Sequence, residues 1–340
     1  MISVQKSDIL KKAIEAFKNI RIAVIGDLIL DVYLWGEASR ISQEAPVPVL
    51  KVNKRTERLG GAANVLCNIS TLGAKALAYG VVGDDENANR LETLLDSYGI
   101  VREGILRDSS RITTEKQRVI ASSQQLLRID HEITEGLSER SKSMLLEKVK
   151  NGIENNDFDA LLFEDYAKGV LDTETAEQIT KLAQQAGIPV GIDPHPGHPI
   201  EISGITLMTP NRSEAFGLAG IYQNKTDSED ELEQLNKVAC RIQGKWKPDF
   251  LLITLGAKGM ALFEKDKEPL LIPTQAREVF DVSGAGDTVI ATFTLALMAG
   301  STPAEAVDLA NHAAGIVVGK VGTVSVTKEE LLHSIKVSVN

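Results

Sequence analysis

Arg21-Ile22-Ala23-Val24-Ile25-Gly26-Asp27 is a short apolar run that stops at a glycine and an acid. It does not alternate, so it predicts a strand buried on both faces, as in a parallel sheet. Runs of the same character recur at 76–79, 160–163, 189–192, 205–208 and 250–254. Helical patterns separate most of them, at 62–72, 87–98, 138–151, 173–186, 212–217 and 230–243. This alternation predicts a three-layer α/β fold, with a mostly parallel central sheet and helices on both faces. Ligands of such sheets bind at the carboxyl ends of the strands, so the residues just after each run are the functional candidates. Upstream, Leu10, Ala13, Ile14 and Phe17 fall at helical spacing and predict an amphipathic helix packed on the core.

Two stretches break the pattern. Residues 32–58 hold two prolines and the alternating segment Val47-Pro-Val-Leu-Lys-Val-Asn53. Residues 104–130 alternate at 113–120 and again at 125–130. Alternation predicts strands with one wet face. The two stretches are expected to form a small antiparallel β lid, inserted into a single domain spanning 1–340.

Composition narrows the partners. A net charge of -10 argues against nucleic acid, which needs a basic face. Cys67 and Cys240 sit in no Cys/His cluster, so zinc is not expected; both read as buried small hydrophobes. The amino terminus has no apolar signal core and no run is long enough for a membrane span, which makes the cytoplasm the expected compartment.

Asp281-Val-Ser-Gly284-Ala285-Gly286-Asp287-Thr288 opens an apolar helical stretch running to Met298. A glycine-rich helix start offers unpaired N–H groups and the positive end of a dipole, hence an anion hole. Asp287 repels an anion there but is well placed to take a proton from a hydroxyl attacking a phosphate. Hole plus base is the logic of a small-molecule kinase; the same residues also read as a plain helix cap. Gly60-Gly61-Ala-Ala-Asn64 opens another helix, where close backbone approach and an amide suit a polyol. Asp27 and Asp31 flank the first strand's end and can accept from sugar hydroxyls, or simply make the turn. Lys168, in Glu164-Asp165-Tyr-Ala-Lys168-Gly, can reach a phosphate. In Thr209-Pro-Asn211-Arg-Ser-Glu214, Glu214 can hold Mg²⁺ through water while Asn211 caps a helix and faces phosphates; the pair also reads as a capping box. Thr254-Leu-Gly256-Ala-Lys-Gly259 follows another strand and can cover a nucleotide. A dinucleotide-binding oxidoreductase is disfavoured, because Gly26-Asp-Leu-Ile-Leu-Asp31 is no G-x-G-x-x-G.

The two glycine motifs, in this order and spacing, resemble the signatures of the ribokinase-like carbohydrate kinases, the PfkB family. The resemblance runs from about Arg21 to the C-terminus. Ser39-Arg40-Ile-Ser-Gln-Glu-Ala-Pro-Val-Pro-Val49, Asp165-Tyr-Ala-Lys168-Gly and Pro273-Thr-Gln-Ala are similar to that family's D-glycero-β-D-manno-heptose-7-phosphate kinases, which serve ADP-heptose and lipopolysaccharide biosynthesis. Those modules often precede a nucleotidyltransferase domain, and this chain ends before one, so a free-standing kinase is expected.

The resemblance implies transfer of the ATP γ-phosphoryl group to a sugar hydroxyl, O1 of heptose 7-phosphate. It implies Asp287 as base, with the N–H groups of Gly284, Ala285 and Gly286 as anion hole. Asn211 and Glu214 would serve Mg²⁺ and phosphates. Asp27, Asp31, Gly60, Gly61 and Asn64 would bind the sugar, and Thr254–Gly259 with Asn311–Ala314 the adenine. Arg40, Lys116, Arg118 and Arg128 lie in the lid stretches and are candidates for the sugar's own phosphate. Two departures stand out: Ser283 replaces a usual Thr, and His195 stands where the heptose kinases carry a lysine after Asp-Pro. The alternatives are a kinase for another sugar or nucleoside and a silent sensor on the same fold. A homodimer through the lid edge is expected as partner.

Overall fold

The first apolar run becomes β1 (Arg21–Gly26), inside a nine-stranded sheet of a computed structural model that describes residues 4–121, 124–222, 231–276 and 278–338. The chain enters through α1 (Val4–Ala16), whose Leu10 and Ile14 are fully buried. After β1 it leaves the body along β2 (Leu28–Ile41), returns along β3 (Pro48–Gly61), and re-enters at α2 (Ala62–Thr71) and β4 (Lys75–Gly83). Next come α3 (Glu86–Ser97), β5 (Val101–Asp108), β6 (Glu115–Ala121), β7 (Gln124–His131), α4 (Glu139–Glu154), β8 (Ala160–Glu164), α5 (Thr173–Gln185) and β9 (Val190–Asp193). The last part holds β10 (Leu207–Met208), α6 (Arg212–Leu218), α7 (Glu231–Trp246), β11 (Phe250–Thr254), β12 (Met260–Glu264), β13 (Leu270–Ile272), α8 (Ala285–Met298), α9 (Pro303–Val317) and α10 (Lys328–Val337).

The large sheet runs β13-β12-β11-β10-β9-β8-β1-β4-β5. It is parallel from β11 to β5, with β12 and β13 added antiparallel at one edge. Alternate residues of β1 serve opposite cores, as the period of two requires. Ile22 and Val24 pack with α1, α2, α3, α8, α9 and α10; Ala23 and Ile25 pack with α4, α5, α6 and α7. These are the three expected layers.

The smaller sheet has the order β3-β2-β6-β7. Its outer pairings are antiparallel, but β2 and β6 run parallel. The cause is topological: β1 and β5 point the same way in the large sheet, so the strands that continue from them do too. The excursions also start elsewhere than the expected 32–58 and 104–130. The first spans 28–61. The second begins at Glu115, because Val101–Asp108 is the edge strand of the large sheet. Ser122 and Ser123, within the second excursion, and Asp230, the expected start of α7, lie outside the described residues. Cys67 is buried as expected, whereas Cys240 lies on the exposed side of α7.

Candidate active site

The site gathers at the carboxyl ends of β1, β8 and β9 and the first turn of α8. Asp27, just past β1, is 2% exposed. Its carboxylate accepts the backbone N–H groups of Tyr166 (2.8 Å), Lys168 (3.0 Å) and Val170 (3.2 Å). Burial pushes its carboxyl up and those N–H groups oppose the push. Asp27 was expected at a sugar hydroxyl; in the structure its oxygens hold the loop after β8.

Gly284 starts α8 at φ 77°, and a Cβ there would lie 2.6 Å from the Asn64 amide nitrogen. Only glycine fits both demands. Ala285 N–H is already bonded to Val282 O at 3.2 Å, so one of the three amides expected in the anion hole is used inside the turn. Asp287 is 4% exposed. Its Oδ2 accepts Asn64 Nδ2 at 2.6 Å and its Oδ1 accepts the Tyr166 hydroxyl at 2.6 Å. Burial pushes the Asp287 carboxyl up, while the bonds from Tyr166 and Asn64 pull it down. Asn64 is expected at the sugar; in the structure its amide nitrogen donates to the expected base. A Cβ on Gly60 would lie 2.8 Å from the Asp31 carboxylate, so glycine there permits the approach of an acid. Asp31 accepts from Arg118 (2.7 Å) and from the Thr323 hydroxyl (3.1 Å). Arg118, a phosphate candidate, is thereby committed to Asp31.

Glu164, Asp193 and Asp287 each bring a carboxylate oxygen within 4.8 Å of the others. Glu164 is fully buried, and both its oxygens lack a hydrogen-bond partner among the described residues. Its carboxyl is pushed far up by burial and by the charges of Asp193, Asp287, Asp165 and Glu214. Asp193 is pushed up by burial, Glu214 and Asp287, against a bond from the Thr209 hydroxyl at 3.1 Å. Glu214 does make the capping box: its Oε2 accepts Asn211 N–H at 2.7 Å and Asn211 Oδ1 accepts Glu214 N–H at 3.0 Å. Yet burial and the Asp287 charge also push the Glu214 carboxyl up, so the cap faces the cluster. Oxygen-only donors of high negative charge suit a hard divalent cation.

The cations sort themselves by partner. Lys168 Nζ pairs with Glu132 at 2.8 Å rather than standing free for a phosphate. Lys116 Nζ lies 5.8 Å from the centre of the Tyr166 ring, its pKa lowered by burial and by Lys168. Arg128 pairs with Asp130 on its own strand at 2.9 Å and is half exposed. Arg40 sits nine residues beyond Asp31 on β2, about 30 Å at a strand's rise. The structure brings Lys116 and Lys168 to the site and leaves Arg40 away from it, while Arg128 lies across from Arg118 on the next strand, one strand further from Asp31. In the loop after β9, His195 Nδ1 accepts Gly197 N–H at 3.2 Å, and His198 Nδ1 meets Asp165 Oδ2 at 2.8 Å.

The expected nucleotide residues line a neighbouring edge. Thr254 N–H bonds Pro210 O at 3.1 Å and bridges to Asn211, which joins the end of β11 to the cap of α6. Gly256 and Gly259 shape the turn that follows. Asn311 is buried, and its amide donates to Pro273 O at 2.7 Å, so it holds the 273–276 segment rather than offering a free amide. The sequence alone gives Glu164, Tyr166 and Asp193 no role. Their signal was present: an acid ends each of two neighbouring apolar strands, Ala-Leu-Leu-Phe-Glu164 and Val-Gly-Ile-Asp193.

The family model described as pfkB family carbohydrate kinase matches residues 19–330. The bifunctional protein HldE of Desulfatibacillum aliphaticivorans is 43% identical over 318 residues, covering 94% of this chain and 63% of that protein. HldE of Proteus mirabilis is 42% identical over 327 residues, covering 96% and 66%. The chain thus spans 63–66% of the length of these two relatives. Among solved structures, Arabidopsis thaliana ribokinase complexed with ribose and ATP superposes with a TM-score of 0.71 at 21% identity, covering 93% of this chain and 99% of that one. Phosphofructokinase-2 of Escherichia coli, in complex with substrates and products, gives 0.75 at 19% identity, covering 94% and 99%. At such identities the likeness speaks for the fold.

Proposed function

This chain belongs to the pfkB family of carbohydrate kinases, and on that premise we propose that it transfers the γ-phosphoryl group of ATP to O1 of D-glycero-β-D-manno-heptose 7-phosphate. The observation that carries the reading is Asp287: a buried carboxylate, held by Asn64 and Tyr166, in the first turn of a glycine-opened helix. There it takes the proton of the attacking hydroxyl. The start of α8 stabilises charge on the transferred group, and catalysis is otherwise a matter of positioning. Asp193 and Glu164 would hold Mg²⁺, with Glu214 acting through water; the unpartnered oxygens of buried Glu164 support that fit. The ion would neutralise phosphate charge. The small sheet acts as a lid that keeps water from accepting the phosphoryl group.

The heptose assignment draws on the HldE relatives and on Asp165-Tyr-Ala-Lys168-Gly. A kinase for another sugar is favoured by one observation, His195 in place of the lysine. An ATP-consumption screen of heptose 7-phosphate, other sugar phosphates and free sugars separates them. A charge-assisted phosphate contact is worth roughly 1.5–3 kcal/mol, so the phosphorylated sugar should lead its free counterpart by about ten- to a hundredfold in kcat/KM. Equal turnover of free sugars removes the heptose assignment and leaves the kinase. Two further readings go with this one. A homodimer would form through β7, an edge strand exposed along its length, and sedimentation tests it. A cytoplasmic location agrees with the lack, among the described residues, of any helix long and apolar enough to cross a membrane.

A further inference from the structure

Asp287 is gripped at both oxygens, and the two grips differ in kind. Asn64 comes from the first turn of α2 and is packed at 2% exposure. Tyr166 comes from the loop after β8, whose shape depends on Asp27. The Tyr166 backbone N–H is tied to Asp27 Oδ2 at 2.8 Å, and Lys116 sits near its ring. The preceding Asp165 accepts Ala167 N–H at 2.9 Å and meets His198 at 2.8 Å. The phenol is therefore delivered to Asp287 by a loop fixed at several points. A phenol keeps its proton far above neutral pH, so it is a dependable donor that adds no charge.

We propose that Tyr166 is a positioning residue for the proton-accepting step. Its hydroxyl fixes the rotation of the Asp287 carboxylate, so that a free lone pair stays aimed at the acceptor hydroxyl. This rests on Asp287 being the base. Positioning errors of about 1 Å cost up to roughly a hundredfold in rate. Tyr166→Phe should lower kcat by roughly ten- to a hundredfold and leave the KM for sugar and ATP within about twofold.

The test measures kcat and both KM values for wild type, Tyr166→Phe, Asp287→Glu and the double variant, using the best sugar from the substrate screen. Asp287→Glu keeps a carboxylate but displaces it by one methylene from the geometry that the Tyr166 hydroxyl fixes. Tyr166→Phe should then cost less than about threefold in that background. A fall of equal size in both backgrounds overturns the proposal, as does a raised sugar KM at unchanged kcat, or no change at all. Asp287→Asn in the same assay keeps the two readings apart: if it turns over normally the base assignment fails, and if it is inactive while Tyr166→Phe is normal only the present proposal fails. Should Tyr166→Phe not fold, Tyr166→His carries the same comparison, since it keeps a ring and a donor but ends short of Asp287.

Discussion

Asp27 and Glu164 sit across from each other at the ends of neighbouring strands, where Gly26 of β1 pairs with Glu164 of β8. Both side chains are buried. Asp27 accepts three backbone N–H groups, whereas Glu164 has no partner at either oxygen among the described residues. An unpartnered buried carboxylate is costly unless something arrives to neutralise it. Burial therefore does not separate a structural acid from a functional one, but the inventory of partners does. On that criterion Asp27 shapes the site and Glu164 is left over for a ligand.

Asp287 strains the criterion, since it has two donors and is still assigned the chemistry. Asp287→Asn should lower kcat by roughly two to four orders of magnitude, the usual size of a general-base contribution, with nucleotide affinity nearly unchanged. Turnover within about threefold of wild type would return Asp287 to the structural side, beside Asp27.

The next effect falls on stability. Asp27→Ala orphans three N–H groups, and each buried unsatisfied donor costs about 1–3 kcal/mol. Urea unfolding should show a loss of roughly 3 kcal/mol or more. A loss under about 1 kcal/mol, together with a raised sugar KM, would break the comparison and restore Asp27 to the sugar, where sequence reasoning put it.

Glu164 sharpens the comparison through pH. Its folded pKa is raised by burial and neighbouring acids. Stability from its proton is then full below the ordinary carboxylate range and is lost as pH rises through the raised value. Without divalent metal, melting should fall as pH rises past the carboxylate range, by an amount on the order of 1 kcal/mol per pH unit. Glu164→Gln should flatten that slope, and Mg²⁺ should flatten it in the wild type. A melt across pH in EDTA and in Mg²⁺ reads both. Parallel curves for wild type and Glu164→Gln would mean that Glu164 is not the charge awaiting a cation.

What sequence could see follows the same division. The β1 run and the Gly284–Asp287 turn were legible because their signals are local: periodicity, glycine spacing and an acid in a first helical turn. The partners of Asp27 lie 139–143 residues away and the Asn64–Asp287 bond spans 223. No local pattern encodes such pairings, so the sequence offers Asp27 and Asn64 to a sugar without showing these partners. α9 and α10 were overlooked for a weaker reason. Thr302-Pro-Ala-Glu305 and Thr327-Lys-Glu-Glu330 are both capping boxes, and the structure forms both.

The smallest expected effect comes from the α1, α9 and α10 layer, where His312 is buried with Nε2 unpartnered among the described residues and Nδ1 at 2.8 Å from the Ser334 hydroxyl. Burial lowers its pKa, with Asp308 raising it and Lys6 lowering it further. The sign is the reverse of Glu164. A histidine kept neutral in the fold gives stability that is full above its unfolded pKa, about 6.5, and is lost as pH falls below it. The loss is at most about 1.4 kcal/mol per pH unit. With Mg²⁺ present to quiet the acidic cluster, wild type should lose stability between pH 7.5 and 5.5. His312→Gln should lose less over the same interval, whatever its absolute stability. If the two proteins lose the same amount, His312 is not what the acid limb reports, and the contrast between an unpartnered acid at the site and a half-partnered histidine in the helical layer does not extend to pH.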